Sequence, residues 1–122
     1  MYLVQRVIPE IVYSVALTAG IAAREFTFQS PNYPTRFSHM DSAADAADST
    51  DKPTWTFDVA GTVIATGSAI TAADTVNHVT AVDAGKSEII PAGSKIKLIL
   101  ATAGTAGNVL GLTCRVVLHG TN

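Results

Sequence analysis

Apolar and polar residues alternate along this chain in short runs, each closed by Gly, Pro, Asn or Asp. Ile11, Tyr13, Val15 and Leu17 alternate with Val12, Ser14 and Ala16, the two-residue period of a strand with one buried face. After a turn at residues 18–20, AREFTFQ puts Phe26 and Phe28 on one side and Glu25, Thr27 and Gln29 on the other. TWTFDV repeats the pattern with Trp55, Phe57 and Val59, and TVIAT resumes it beyond Gly61. Val76, His78, Thr80 and Val82 alternate with Asn77, Val79 and Ala81, and SEII adds a brief strand. SKIKLILA turns Ile96, Leu98 and Leu100 inward. The last run turns Leu110, Leu112, Cys114, Val116 and Leu118 inward and Thr113, Arg115, Val117 and His119 outward. About eight strands, with turn signals roughly every eight to twelve residues and no competing helical period, predict an all-β antiparallel β-sandwich. The final two strands, joined by the small-residue loop TAGTAGN, read as its closing hairpin.

Three stretches break the pattern. Pro9 cuts MYLVQRVI from the first strand. Residues 1–8 therefore read either as a core strand or as an arm or edge strand that packs on a neighbour. In the second case Tyr2, Leu3, Val4, Arg6 and Ile8 are candidate contacts, and deleting the segment is expected to weaken assembly without unfolding the domain. Pro31 and Pro34 force an extended connection that carries Tyr33, another candidate contact. Residues 38–52 form the most polar segment and read as a long loop, exposed or ordered by a partner. Within it AADAAD suits one or two helical turns, with Ser42 as N-cap. Asp41, Asp45, Asp48 and Asp51 recur there at spacings of three and four residues, the first three as candidate contacts. They could gather a cation, yet they lack the alternating ligands and turn glycine of a calcium loop, so a solvated acidic loop is the plainer reading.

Composition narrows the picture. With 122 residues, one domain accounts for the chain. Charged residues make up 15%, against roughly 25% in average soluble domains. Thr, Ser, Ala and Gly must cover the surface, which suits packing against other subunits as well as a small free-standing β protein. A net charge of −2, with eight scattered Lys and Arg, argues against a nucleic-acid partner. Residues 11–23 are too short and too interrupted to span a bilayer, and Pro9 and Glu10 stand where a leader peptide would be basic. Cys114 is the only cysteine, so it has no disulfide partner within the chain. His39, His78 and His119 share no metal-ligand spacing. No phosphate loop and no paired carboxylates are visible. The expectation is a non-enzymatic protein with no cofactor and no metal. Trp55 could be a sugar-stacking platform, although its phase with Phe57 and Val59 favours the core.

The second half of the chain carries a resemblance. The turn and strand IPAGSKIKL, the small-residue loop and the final LTCRVVLHG resemble the small jelly-roll capsid decoration (cement) proteins of tailed bacteriophages. The resemblance implies a jelly roll that binds the outer capsid surface of a virion assembled in the host cytoplasm. It further implies the major capsid protein as partner, a dimeric or trimeric state, and stabilisation by bridging neighbouring subunits. A tail or fibre component is a related possibility. The alternative from another class is a carbohydrate-binding β-sandwich, which would rely on exposed aromatics such as Tyr2, Tyr33 or Trp55.

Overall fold

The computed structural model describes residues 9–19, 21–102 and 108–121. Its strands are β1 (Glu10–Leu17), β2 (Arg24–Gln29), β3 (Thr35–Ala43), β4 (Thr54–Val59), β5 (Thr62–Thr66), β6 (Asn77–Val79), β7 (Ile89–Ile90), β8 (Lys95–Ala101) and β9 (Leu112–Gly120). They form two antiparallel sheets. One has the order β1-β9-β3-β6, with β7 also paired to β3. The other has the order β2-β8-β4-β5. Taking the short β6 and β7 together as one edge, this is the strand order of a jelly roll, so the expected antiparallel sandwich is the observed fold.

Alternation builds the core. Trp55 and Phe57 from β4, Ile96, Leu98 and Leu100 from β8, and Leu112, Cys114, Val116 and Leu118 from β9 are all essentially solvent-free. They meet Phe37 and Met40 of β3 between the layers. Trp55 is thus a core residue and no sugar platform. The β4–β5 hairpin closes through two residues, Ala60 (φ 51°) and Gly61 (φ 91°), both left-handed as a type I′ turn requires. Asp58 Oδ1 accepts the Gly61 N–H at 3.0 Å and anchors that turn.

Three expectations need correction. β8 and β9 are not a hairpin, because they lie in opposite sheets. Each turns a continuous apolar face inward and is central in its own sheet, so the connection passes from one layer to the other. The tip of that connection, residues 103–107, lies outside the described residues, as does the 1–8 arm. Next, the polar segment is not loop from residue 38. β3 runs through it to Ala43, and Ser42 is a buried strand residue. No helix forms among the described residues. β3 escaped recognition because its pairing with β9 slips between Phe37 and His39, a bulge that breaks the two-residue period. Lastly, the expected strand from Val76 to Val82 shrinks to Asn77–Val79.

Candidate functional site

The outer face of the β1-β9-β3-β6 sheet gathers the chain's polar chemistry. Strand register sets side chains in rows across it. Ser14 stands opposite Arg115, Arg115 opposite Asp41, and Asp41 opposite His78. The next row is small, with Ala16, Thr113 and Ala43 side by side.

Asp41 is the hub of the first row. Its side chain is 17% exposed. Arg115 Nη2 donates to Oδ2 at 2.9 Å, and His78 Nδ1 makes a close hydrogen bond with Oδ1. His39 Nε2 stands 3.7 Å from Oδ2, and the two imidazoles lie with ring centroids 5.3 Å apart. Ser38 Oγ pairs with His39 Nδ1 at 2.9 Å and sets that ring's orientation. Burial pushes the Asp41 carboxyl pKa up. The hydrogen bonds from His78 and Arg115, with the field of both histidines, outweigh it and hold the pKa below the ordinary carboxylate value.

Beside this row the sheet surface is hollowed. One groove of about 410 Å³ has Ser14, Ala16, Ala43 and Thr113 along its floor and Asp41 and Arg115 at one end. A second, of about 450 Å³, continues it past Thr18 to Asp45 and Asp74. Val76 borders both and is 62% exposed. The groove exists because the floor residues are small while the connection before β6 rises beside them. The Asp74 N–H donates to the Ala44 carbonyl at 2.8 Å and ties that connection to the sheet.

The three aspartates picked from the sequence do not converge on a cation. Asp41 faces the groove from β3. Asp45 lies at the groove's far end, close against Gly111, where a Cβ would collide with its carboxylate. Gly111 has φ 62° and has no such atom to offer. Asp48 is a turn anchor. Its Oδ1 accepts the N–H groups of Asp51 at 2.8 Å and Thr50 at 2.9 Å, and its Oδ2 accepts from Asn108 at 2.9 Å. The Asp51 backbone bond first, then the Asn108 bond, hold its pKa below the ordinary value. No cluster fit to hold a metal occurs among the described residues.

Tyr33 is exposed, as its connection implied, but it lies at the opposite end of the sheet, beside Pro9 and Gly120. Tyr2, Leu3, Val4, Arg6 and Ile8 lie outside the described residues. The sequence reading missed Arg115, His39 and His78. His78 and Asp41 are 37 positions apart, and only the β3–β6 register joins them. The available signal was a charged or imidazole residue in the outward phase of three separate strands.

No family model matches this chain, and no curated protein matches it. Solved structures do. The C-terminal domain of EclA, described as a sugar-binding protein, is similar at 13% identity and TM-score 0.42, covering 96% of this chain and 82% of that one. The catalytic domain of a GH87 alpha-1,3-glucanase in complex with tetrasaccharides is similar at 17% identity and TM-score 0.43. That match covers 89% of this chain and 22% of that one. At these values neither match bears on ligand or activity.

Proposed function

We propose that this protein is a non-catalytic binding domain and that its ligand is a saccharide held along the outer face of the β1-β9-β3-β6 sheet. The observation that carries this reading is the groove itself. It is open and elongated, with a floor of small side chains and an Asp41–Arg115 pair fixed at one end. A carboxylate and a guanidinium held in place present acceptors and donors together, which is what vicinal hydroxyls require. Ser14 and Thr113 add hydroxyls beside the ion pair, and Val76 offers an apolar edge to a sugar ring. The same geometry does not set Asp41 up as a general acid. A general acid needs a raised carboxyl pKa, whereas Asp41 is pulled the other way by its partners. A glycan array probed with the labelled protein tests the reading. Binding to a subset of glycans, lost in Arg115→Ala with the fold retained, is the expected result.

A second reading keeps the capsid decoration protein. What favours it is the scarcity of charge, together with a strand edge on β1 that no described strand covers. In that case the partner is a shell of major capsid protein. The chain would sediment with tailed-phage capsids lacking their own decoration protein.

A further inference from the structure

Among the described residues, no strand covers the side of the sandwich formed by β1 and β2. β1 ends one sheet and β2 ends the other. They lie over one another, with the rings of Tyr13 and Phe28 5.4 Å apart. Every inward residue on this side is only half-buried: Ile11, Tyr13, Val15 and Leu17 from β1, and Phe26 and Phe28 from β2. Tyr13, Val15, Leu17, Phe26 and Phe28 pack against the core cluster, so with Ile11 at the end of the row they form an apolar seam rather than scattered surface residues.

The backbone of β1 points the same way. The Gly120 N–H donates to the Pro9 carbonyl at 2.9 Å. From that bond the antiparallel ladder alternates, so Ile11, Tyr13, Val15 and Leu17 bond to β9. Glu10, Val12, Ser14 and Ala16 therefore turn their N–H and C=O groups away from the sheet. Sheet edges of this kind are ordinarily blunted by Lys, Pro, a bulge or brevity. β1 has eight residues in unbroken register with β9, and EIVYSVAL contains no Lys, Pro or Gly. The edges on the opposite side of the sandwich are blunted. β6 has three residues, and β5 pairs with β4 through a register shift.

We propose that this side is an interface between two copies of the chain, with β1 of one pairing antiparallel to β1 of the other about a two-fold axis at Tyr13. The sequence of β1 suits self-pairing in this register. Ile11 then faces Val15, Val12 faces Ser14, and Glu10, the strand's one charged residue, faces Ala16. The two Glu10 carboxylates fall at opposite ends, so nothing repels. Inward residues of both copies stay on the same face, and the seam of each covers that of the other. Ser14 and Ala16 also line the groove, so pairing sets two grooves side by side. The inference goes beyond the saccharide reading and does not depend on it.

Light scattering on the full chain over a range of micromolar concentrations tests it, together with three variants. The wild type is expected at twice 12.7 kDa. Ser14→Pro removes an outward N–H that β9 does not use, and Val15→Lys places a charge in the seam. Both should be monomers with wild-type circular dichroism, and either one suffices if the other fails to fold. Tyr13→Cys should cross-link to itself on oxidation, since residue 13 meets its own copy in a non-hydrogen-bonded pair whose spacing suits a disulfide, while Cys114 stays buried. A wild type that is monomeric throughout overturns the proposal. So does a dimer that survives both folded edge variants, and so does one that dissociates only when residues 1–8 are removed.

Discussion

β1 and β9 run side by side in one sheet, paired residue for residue from Glu10 opposite His119 to Leu17 opposite Leu112. Both alternate apolar and polar residues. Leu112, Cys114, Val116 and Leu118 of β9 are nevertheless sealed from solvent, while their partners Leu17, Val15, Tyr13 and Ile11 are half-exposed. Residue type does not account for the difference. β9 has neighbours on both sides and a full sheet beneath it, whereas β1 has one neighbour among the described strands and lies over β2, itself an edge. The pattern of a strand says which face turns inward, and the place of the strand in the sheet says how much that face contributes. A domain that completes its core through β3, β4, β8 and β9 is free to use β1 and the outer face for contacts.

The comparison can be broken most forcefully at one register pair. Leu118→Ala should destabilise the fold by about 3 kcal/mol, and Ile11→Ala by about 1 kcal/mol, because truncation costs scale with burial and with the cavity left behind. Urea unfolding of the two variants below the association range measures both, and equal losses would contradict the account. Next in size is the turn that closes β4 and β5. Gly61 has φ 91° and open space around its missing Cβ, so Gly61→Ala should cost about 1 kcal/mol through backbone strain alone, read in the same assay.

The acid response is a smaller effect and separates the outer face from the core. The pKa of Asp41 in the folded state is depressed. The stability it contributes is therefore complete above the unfolded-state value, about pH 4, and is lost as pH falls through the lower folded value. Asp41→Asn should lower the melting temperature at neutral pH and make the acid-side fall shallower. A parallel, undiminished fall would remove Asp41 from the hub. The smallest effect is chemical. Burial first, and then the Asp41 charge, push the Cys114 thiol up to about 12, so a thiol reagent should leave it untouched in the native protein and label it in denaturant. Rapid native labelling would show that β9 opens as readily as an edge.

Much of the fold was legible because period two is a direct image of a half-buried strand. β4 and β8 were located with their inward residues, and so was the core role of Trp55; β9 was located too, but Leu110, expected inward at its start, precedes the strand and is 44% exposed. Periodicity reports a face and not a sheet, and for that reason two successive strands on opposite layers were read as a hairpin. β3 was hidden by the slip at Ser38 and by polar residues in inward phase, Thr35 and Ser42, both buried. Val117 shows the opposite failure. It is outward in phase but 2% exposed, where it stands between Val12 and His39 in the register. Of the Asp41–Arg115–His78 row, the sequence singled out Asp41 alone, as one of an acidic series rather than as the partner of Arg115; Asp45, from the same series, lies at the groove's far end. Register between strands far apart in the chain creates such a cluster, and a single sequence does not display it.

The central claim is that the groove beside Asp41 and Arg115 binds saccharide, and a glycan array probed in parallel with wild type and Arg115→Ala tests it most directly. The account predicts a defined set of bound glycans for the wild type and their loss in a variant that still shows native circular dichroism. An array blank for the wild type, or a set of glycans bound equally by both proteins, would contradict it.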